Sequence, residues 1–446
     1  MSTSYEPGDM PETGTPLAEA PDGAITAPVE IEISAAGGML RPFRIRNFSL
    51  LTGGQTISTI GDAFYAVALP WLILNNGGSA QELGIVLTAY GLPRVGCVLV
   101  GGWLTDRLRP RRLMLLADVV RAVLAGVLAV LALRGHPGLW ELCAISVALG
   151  ALHGAFLPAA SAILPDLLHD EDLQAGNALS LAFTQAATLV GSAIAGIAVA
   201  TLTAGAAFAL DAGTFAASAL SLAMMRVTQS SKDGQAEPAS GSSAPTAHTA
   251  SKASITTGRF LRSSRLIQVC LLVSIAANFC FGGLMEVALP TLVHGPMNGG
   301  ASGYGLILAA FGAGALGGGL SAGMLGHIKR KGLVAMLSAL LMAVAIALLP
   351  YGGVLTAAAW MLLAGIANSI TNVILLTVIQ MIIPRHLMGR IMGILMFASF
   401  GTYPLSVALA GVLTTRFGPQ ILFPYSGLVL ALAILYGITQ RALREL

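Results

Sequence analysis

The chain has 446 residues, 55% of them hydrophobic and 10% charged, with a formal net charge of +3 at pH 7. A soluble domain carries about a quarter charged residues, so this composition argues against a soluble globular fold. Its 53 glycines and 6% aromatic content give the small-residue bias of helices packed closely in lipid. The class expected is an all-α polytopic membrane protein.

Residues 1–44 open the chain as a polar tail. The first forty contain seven acidic groups, several prolines and no basic residue, a composition that cannot bury a core and reads as disordered rather than as a signal peptide. A helix needs about twenty apolar residues to cross a bilayer. By that measure the chain holds twelve spans, the first six at 48–74, 82–104, 113–134, 139–164, 173–201 and 204–227. The second six run 265–293, 303–326, 333–350, 354–382, 389–415 and 419–440. Between the sets, residues 228–264 are rich in Ser, Ala, Thr and Gly and form a flexible linker. The expected domains are therefore two six-helix bundles, 45–227 and 265–440, followed by a short C-terminus, 441–446.

Lysine and arginine concentrate in cytoplasmic loops. With the N-terminus inside, the inner loops and both tails hold 20 of the 24 basic residues, and the outer loops hold only Arg134 and Arg416. Both termini and the linker are thus expected in the cytoplasm. Cys97, Cys143, Cys270 and Cys280 all lie in apolar runs without C-x-x-C spacing, so they read as small core residues rather than zinc ligands or disulfides.

The halves repeat each other. "GIVLTAYG" at 84–91 returns as "GLILAAFG" at 305–312, and "VALPWLI" at 67–73 returns as "VALPTLV" at 287–293. A duplicated bundle implies a path or cavity at the junction of the copies. An anchor has no need of such a duplication.

Along the spans, a few polar residues stand out. Asp62 lies mid-span, where a carboxylate is costly unless it faces a cavity or a partner; Gln55 and Ser58 share its face. It is a candidate for proton coupling or for holding a cationic substrate, or else a structural carboxylate. Arg94, midway along span 2, has no partner on its own helix, and Asp62 is its expected partner. Asp118 and Arg121 are spaced to pair on one face of span 3, as a structural pair or as part of a switch near the cytoplasmic end. Glu286 lies in the outer half of span 7, with Asn278 two turns before it. It is a second candidate carboxylate, or one snorkelling toward the outside. Asn368, Asn372 and Gln380 in span 10, Gln185 in span 5 and His153 in span 4 are second-rank cavity candidates, more often structural in such bundles. Asp211 in span 6 reads as capping or pairing locally. The prolines 70, 93, 158, 290 and 404 are kinks first and gating points second.

"GGWLTDRLRPRR" at 101–112 resembles the signature that follows span 2 in the major facilitator superfamily. The likeness extends over residues 45–440. "ISTIGDAFYAVALPWLILN", "LLADVVRAV", "AFLPAASAILPDLL", "LQAGNALS" and "IIPRHLMGRIMGI" are similar to its drug, macrolide and siderophore exporter branch. The resemblance implies alternating access and a latch at the inner surface built from Gly102, Asp106, Arg107 and Arg112. Arg109, Arg111 and Arg112 also serve topology alone. It further implies export of a small amphipathic compound, driven by protons. The second half carries His327 where the signature has its acid. Span 4 lacks an arginine and span 5 lacks the Gly-Pro of many antiporters, which sets the chain apart from the usual antiporter route.

The expected partners are the lipid bilayer, a small-molecule substrate and protons, and the expected state is a monomer. Nucleic acid, cofactors and metals are not expected. A proton-coupled importer of a small nutrient shares the fold and the signature. A membrane enzyme or sensor is the third reading, but neither H-E-x-x-H nor G-x-x-x-x-G-K-[ST] occurs in the chain.

Overall fold

The computed structural model describes residues 40–135, 137–225, 264–324, 331–383, 391, 394, 397 and 400–440. The first six helices are α1 (Arg46–Asn75), α2 (Ala80–Leu108), α3 (Pro110–Arg134), α4 (Leu139–Leu167), α5 (Asp170–Thr201) and α6 (Ala204–Met224). Helix α7 begins as Arg265–Gly283, passes through a π turn at Leu284–Ala288 and finishes as Leu289–His294. Then follow α8 (Gly300–Met324), α9 (Lys331–Leu348), α10 (Val354–Ile382), α11 (Tyr403–Phe417) and α12 (Pro419–Thr439). Ten of these are long and apolar enough to cross a membrane, and α9 and α11 complete the expected order. The starts follow local chemistry. Ser79 accepts from the Glu82 amide at 3.2 Å and Thr203 from the Ala206 amide at 3.1 Å, while Pro110 and Pro419 sit in first turns where a missing N–H costs nothing.

Helix pairing shows the duplication directly. In the first half α1 packs on α5 and α6, α2 on α4, and α3 on α4 and α6. In the second, α7 packs on α11 and α12, α8 on α10, and α9 on α10 and α12. Adding six to each number converts one set into the other. The halves meet where α2 lies against α11 and α5 against α8, which are also equivalent pairs. The repeated glycines explain these seams. A Cβ on Gly84 would lie 2.9 Å from the Val407 carbonyl oxygen, and one on Gly305 would lie 2.6 Å from Gly196 Cα.

The two ends of the molecule differ. The end carrying residues 107–112 is termed the basic end and the opposite one the far end. The main core spans both halves and includes Val67, Leu72, Leu83, Leu292, Tyr304 and Val407. A second core at the basic end, including Phe48, Met114, Leu164 and Leu222, is made of first-half residues alone. At the far end Trp71 of α1 stacks on Tyr304 of α8 at 5.7 Å, with His294 edge-on to it at 5.7 Å. Among the described residues, the close approaches between halves thus run from the middle of the molecule to the far end.

Two features at the basic end were not anticipated. A 3₁₀ turn, Arg41–Arg44, extends the packed chain ahead of the boundary expected at 45. Its Arg41 meets Glu171 at 3.3 Å and Asp172 at 3.6 Å. Arg111, assigned from sequence to topology, donates from Nε to the Leu222 carbonyl at 2.9 Å and from Nη2 to the Ala223 carbonyl at 2.8 Å. It caps the C-terminus of α6, where free carbonyls favour a cation. Most of the acidic tail, residues 226–263 of the linker, and residues 441–446 lie outside the described residues.

Candidate functional site

A set of adjoining cavities lies at the junction of the halves and runs on into the second half. One of about 220 Å³ is lined from α2 by Gly91, Arg94 and Val98, and from α7 and α11 by Asn278, Phe281, Glu286 and Tyr403. A second, about 100 Å³, shares Arg94, Glu286 and Tyr403 and adds Asp62, Tyr90 and His153. A third, about 100 Å³, shares Asn278 and Phe281 and reaches Asn368, Thr371 and Asn372. Each half therefore contributes one carboxylate, Asp62 and Glu286, to a space with aromatic and amide walls.

Glu286 owes its place to the π turn. A π turn widens a helix by one residue and is frequent at functional sites. Ser406 of α11 holds the start of that turn: its hydroxyl accepts from the Gly283 amide at 2.7 Å and donates to the Phe279 carbonyl. The Tyr304 hydroxyl donates to the Met285 carbonyl at 3.2 Å. The π turn has no mark in the sequence, because its residues Leu284–Ala288 are apolar apart from Glu286 itself.

Asp62 faces the cavity with its side chain 38% accessible. Its ionic partner is Arg121, at 4.0 Å, and not Arg94. The expected Asp62–Arg94 pair is therefore corrected. Although at comparable depth, the Arg94 guanidinium lies over the rings of Tyr90 and Phe400, 6.0 and 5.7 Å from their centroids, a seat that aromatic faces offer a cation.

Arg121 is the hub of the first half. It is 3% accessible and reaches Asp118 at 3.7 Å, the expected pair, while Nη2 donates to His153 Nδ1 at 2.6 Å. Its guanidinium also lies 4.8 Å from the Phe215 centroid and 5.4 Å from that of Phe156. Asp118 is fully buried and accepts from the Ser218 hydroxyl at 2.6 Å. The pair sits in the half of α3 nearer the basic end, about two to three turns from its start. His153, read as a lone structural histidine, accepts from the same arginine. Asp211, expected to pair locally, is 1% accessible with Oδ1 lacking any hydrogen-bond partner, and it lines a small void with Asp62 and Arg121.

The other candidates are scattered. Asn372 donates to Asn368 at 3.1 Å, and Asn278 donates to the Ser274 carbonyl at 2.8 Å; all three line the second-half cavity. Gln55 is half-buried two turns from Asp62 toward the basic end, and Gln185 is exposed on α5. Arg107 and Arg112 are exposed at the basic end. Gly101 lies against Pro158 of α4, so α4 is the helix approached closely by the signature. The surroundings of Gly102, the side chains of Asp106 and Gln380, and all of His327 lie outside the described residues. A roomier void, about 480 Å³, is an apolar groove between α7, α11 and α12, outside this polar centre.

Comparison with known proteins adds three findings. The family profile of the Major Facilitator Superfamily matches residues 51–405. The multidrug efflux pump Tap of Mycobacterium tuberculosis (strain ATCC 25618 / H37Rv) is 27% identical over 417 residues, covering 89% of this chain and 94% of that protein. Tap of Mycolicibacterium fortuitum is 26% identical over 422 residues, covering 91% and 97%. Among solved structures, the nucleoside transporter NupG superposes with a TM-score of 0.68 at 10% identity, over 89% of this chain and 100% of that one. At that identity the likeness concerns the fold alone.

Proposed function

The chain belongs to the major facilitator superfamily, and from that premise we propose that it exports small amphipathic compounds by alternating access, driven by protons. It is a multi-pass membrane transporter and not an enzyme. In this reading the bundles 45–227 and 265–440 rock about the seams α2–α11 and α5–α8. The basic end faces the cytoplasm of a bacterial-type plasma membrane, so the conformer described is closed toward the outside. The Tap relatives, matched along nearly their whole length, support export over import.

One observation carries the assignment of the site: the central cavity receives a carboxylate from each half, Asp62 and Glu286, among aromatic and amide walls. Such walls suit a hydrophobic or weakly cationic cargo, and a carboxylate in an apolar setting supplies its counter-ion. The latch at Gly102, Asp106, Arg107 and Arg112 remains part of this proposal. The test is ethidium movement in proteoliposomes of known orientation under an imposed pH gradient. Export toward the far-end side, reduced by Asp62→Asn or Glu286→Gln, is expected. Uptake in the opposite direction would replace export with import, and normal transport by both variants at every pH would remove the site.

A further inference from the structure

The first half holds three carboxylates, Asp62, Asp118 and Asp211, around a single buried guanidinium, and they are held differently. Asp118 is fixed through Oδ2, which accepts from Ser218 at 2.6 Å, while its Oδ1 has Arg121 at 3.7 Å as an ionic partner but no hydrogen-bond donor. Asp62 is loose, 4.0 Å from Arg121 and open to the cavity. Asp211 is sealed at 1% accessibility, with an Oδ1 that finds no donor. A buried carboxylate without proton or partner is a costly thing to leave in a helix bundle.

We propose that Arg121 is shared between Asp62 and Asp211, and that Asp211 is the sealed proton-binding residue through which the first half couples ion movement to its conformation. This rests on the proton-driven reading above and names the site where the proton is kept. A void of about 10 Å³ lies among Asp62, Arg121 and Asp211, with Tyr65, Tyr90 and Phe215 around it. That is on the order of one water-sized probe, enough for a guanidinium edge to shift or for one water to pass a proton. The rings of Phe215 and Phe156 give the guanidinium a seat that does not depend on hydrogen-bond direction. Asp118 and His153 hold the rest of the group, so the motion is a pivot and not a departure.

Gly61 makes the arrangement possible. Asp211 and Thr214 lie against it, and a Cβ there would sit 2.6 Å from Asp211 Oδ1. The groups facing Asp211 are thus Asp62 and Tyr65 from α1, Tyr90 from α2, and Arg121 with Asp118 behind it from α3. His153 of α4 acts through Arg121. In one state Arg121 holds the Asp62 carboxylate and Asp211 carries a proton. In the other Arg121 holds the Asp211 carboxylate and the proton has passed to Asp62, from which it exchanges with cavity water. The proton moves one way as the guanidinium moves the other, and the charge of the cluster is unchanged.

The test uses the purified full chain and pH-dependent infrared difference spectra of the protonated carboxyl stretch. Wild type should show a band that Asp211→Asn removes. The same band should vanish in Asp62→Asn, because Arg121 then has only Asp211 to hold; a purely structural aspartate would not respond to that change. Persistence of the Asp211 band in Asp62→Asn, or its absence from wild type, overturns the proposal. In proteoliposomes, Asp211→Asn should lower pH-driven ethidium transport by about tenfold or more, the scale of a coupling free energy, while gradient-free ethidium counterflow persists. Asp211→Glu, which keeps the carboxyl, should retain driven transport with a displaced pH profile, and an unmoved profile counts against the idea. If ethidium moves without any proton flux while the bands behave as stated, the proton-driven reading fails and the shared arginine stands. If transport is proton-driven and the Asp211 variants behave as wild type, the shared arginine fails alone.

Discussion

Gly305→Ala places the smallest possible perturbation on the seam between the halves. The added Cβ would lie 2.6 Å from Gly196 Cα, 2.7 Å from the Ser192 carbonyl oxygen and 3.0 Å from the Gly196 nitrogen. All three are backbone atoms, so no side chain can turn aside. Ordinary carbon contacts are about 3.5–4.0 Å, and α5 and α8 must therefore part by about 1 Å at this point. Overpacking of this kind costs about 1–3 kcal/mol, and the cost falls on the conformer that is closed at the far end. Under the proposed alternating access, this contact is released in the other conformer. The expected shift between the two is about 5- to 150-fold. The assay is the rate at which a membrane-impermeant maleimide, added from the far side, labels Ser192→Cys in a chain whose four native cysteines are replaced by serine. Gly305→Ala should raise that rate, whereas Gly126→Ala, with nothing within 4 Å of its Cβ, should not. An unchanged rate in Gly305→Ala would refute the view that this seam closes the far end.

Three further outcomes follow from local geometry. Arg109 adopts φ +64° between α2 and α3 with no side-chain capping bond; Arg109→Gly should stabilise the chain by about 1–3 kcal/mol, and a lower thermal midpoint would contradict this. Ser406→Ala takes the acceptor from the buried Gly283 amide, at a cost of about 1–3 kcal/mol. Hydrogen exchange at that amide should quicken, and unaltered protection would dissociate Ser406 from the π turn. Arg121→Ala strands the fully buried Asp118 and should cost about 3–5 kcal/mol, read as loss of folded yield. Adding Asp118→Asn should restore part of that yield, and no recovery would mean that the damage comes from lost packing instead.

The helices and their duplication were legible because both rest on periodic, local information. Apolar runs of the right length marked the spans to within a few residues, apart from the eleventh, expected at 389–415, whose first part lies largely outside the described residues, and the repeated "GxxLxAxG" marked the two equivalent seams. Depth was also legible: Asp62, Arg94, Arg121 and His153 all sit near mid-helix. Pairing was not. Whether Asp62 turns to Arg94 or Arg121 depends on the rotation of α2 and α3 about their own axes, which a span boundary uncertain by a few residues cannot fix. Asp211 was undervalued for the same reason, since only the absence of a side chain at Gly61 brings α6 close enough to place it beside Arg121. Arg111 was read as topology because its receptor, the end of α6, is more than a hundred residues away.

Symmetry in the backbone coexists with asymmetry in the chemistry, and the repeat register shows how. With the offset of 220 that aligns "VALP" with "VALP", Asp62 corresponds to Gly282 and Glu286 to Ala66. Where the first half places a cavity-facing carboxylate, the second places two glycines, Gly282 and Gly283, against Ser406 of α11. The π turn that follows then supplies the second half's carboxylate one turn nearer the far end. Arg121 with its three aspartates belongs to the first half, while the amides Asn278, Asn368 and Asn372 belong to the second. On the function proposed above, a duplicated bundle divided in this way would separate ion handling from cargo handling. Among the described residues the two sets adjoin where Asp62, Arg94, Glu286 and Tyr403 share one cavity. On the function proposed above, cargo resting on Glu286 and a proton arriving at Asp62 act on opposite walls of the same space, so each changes the charge that the other meets.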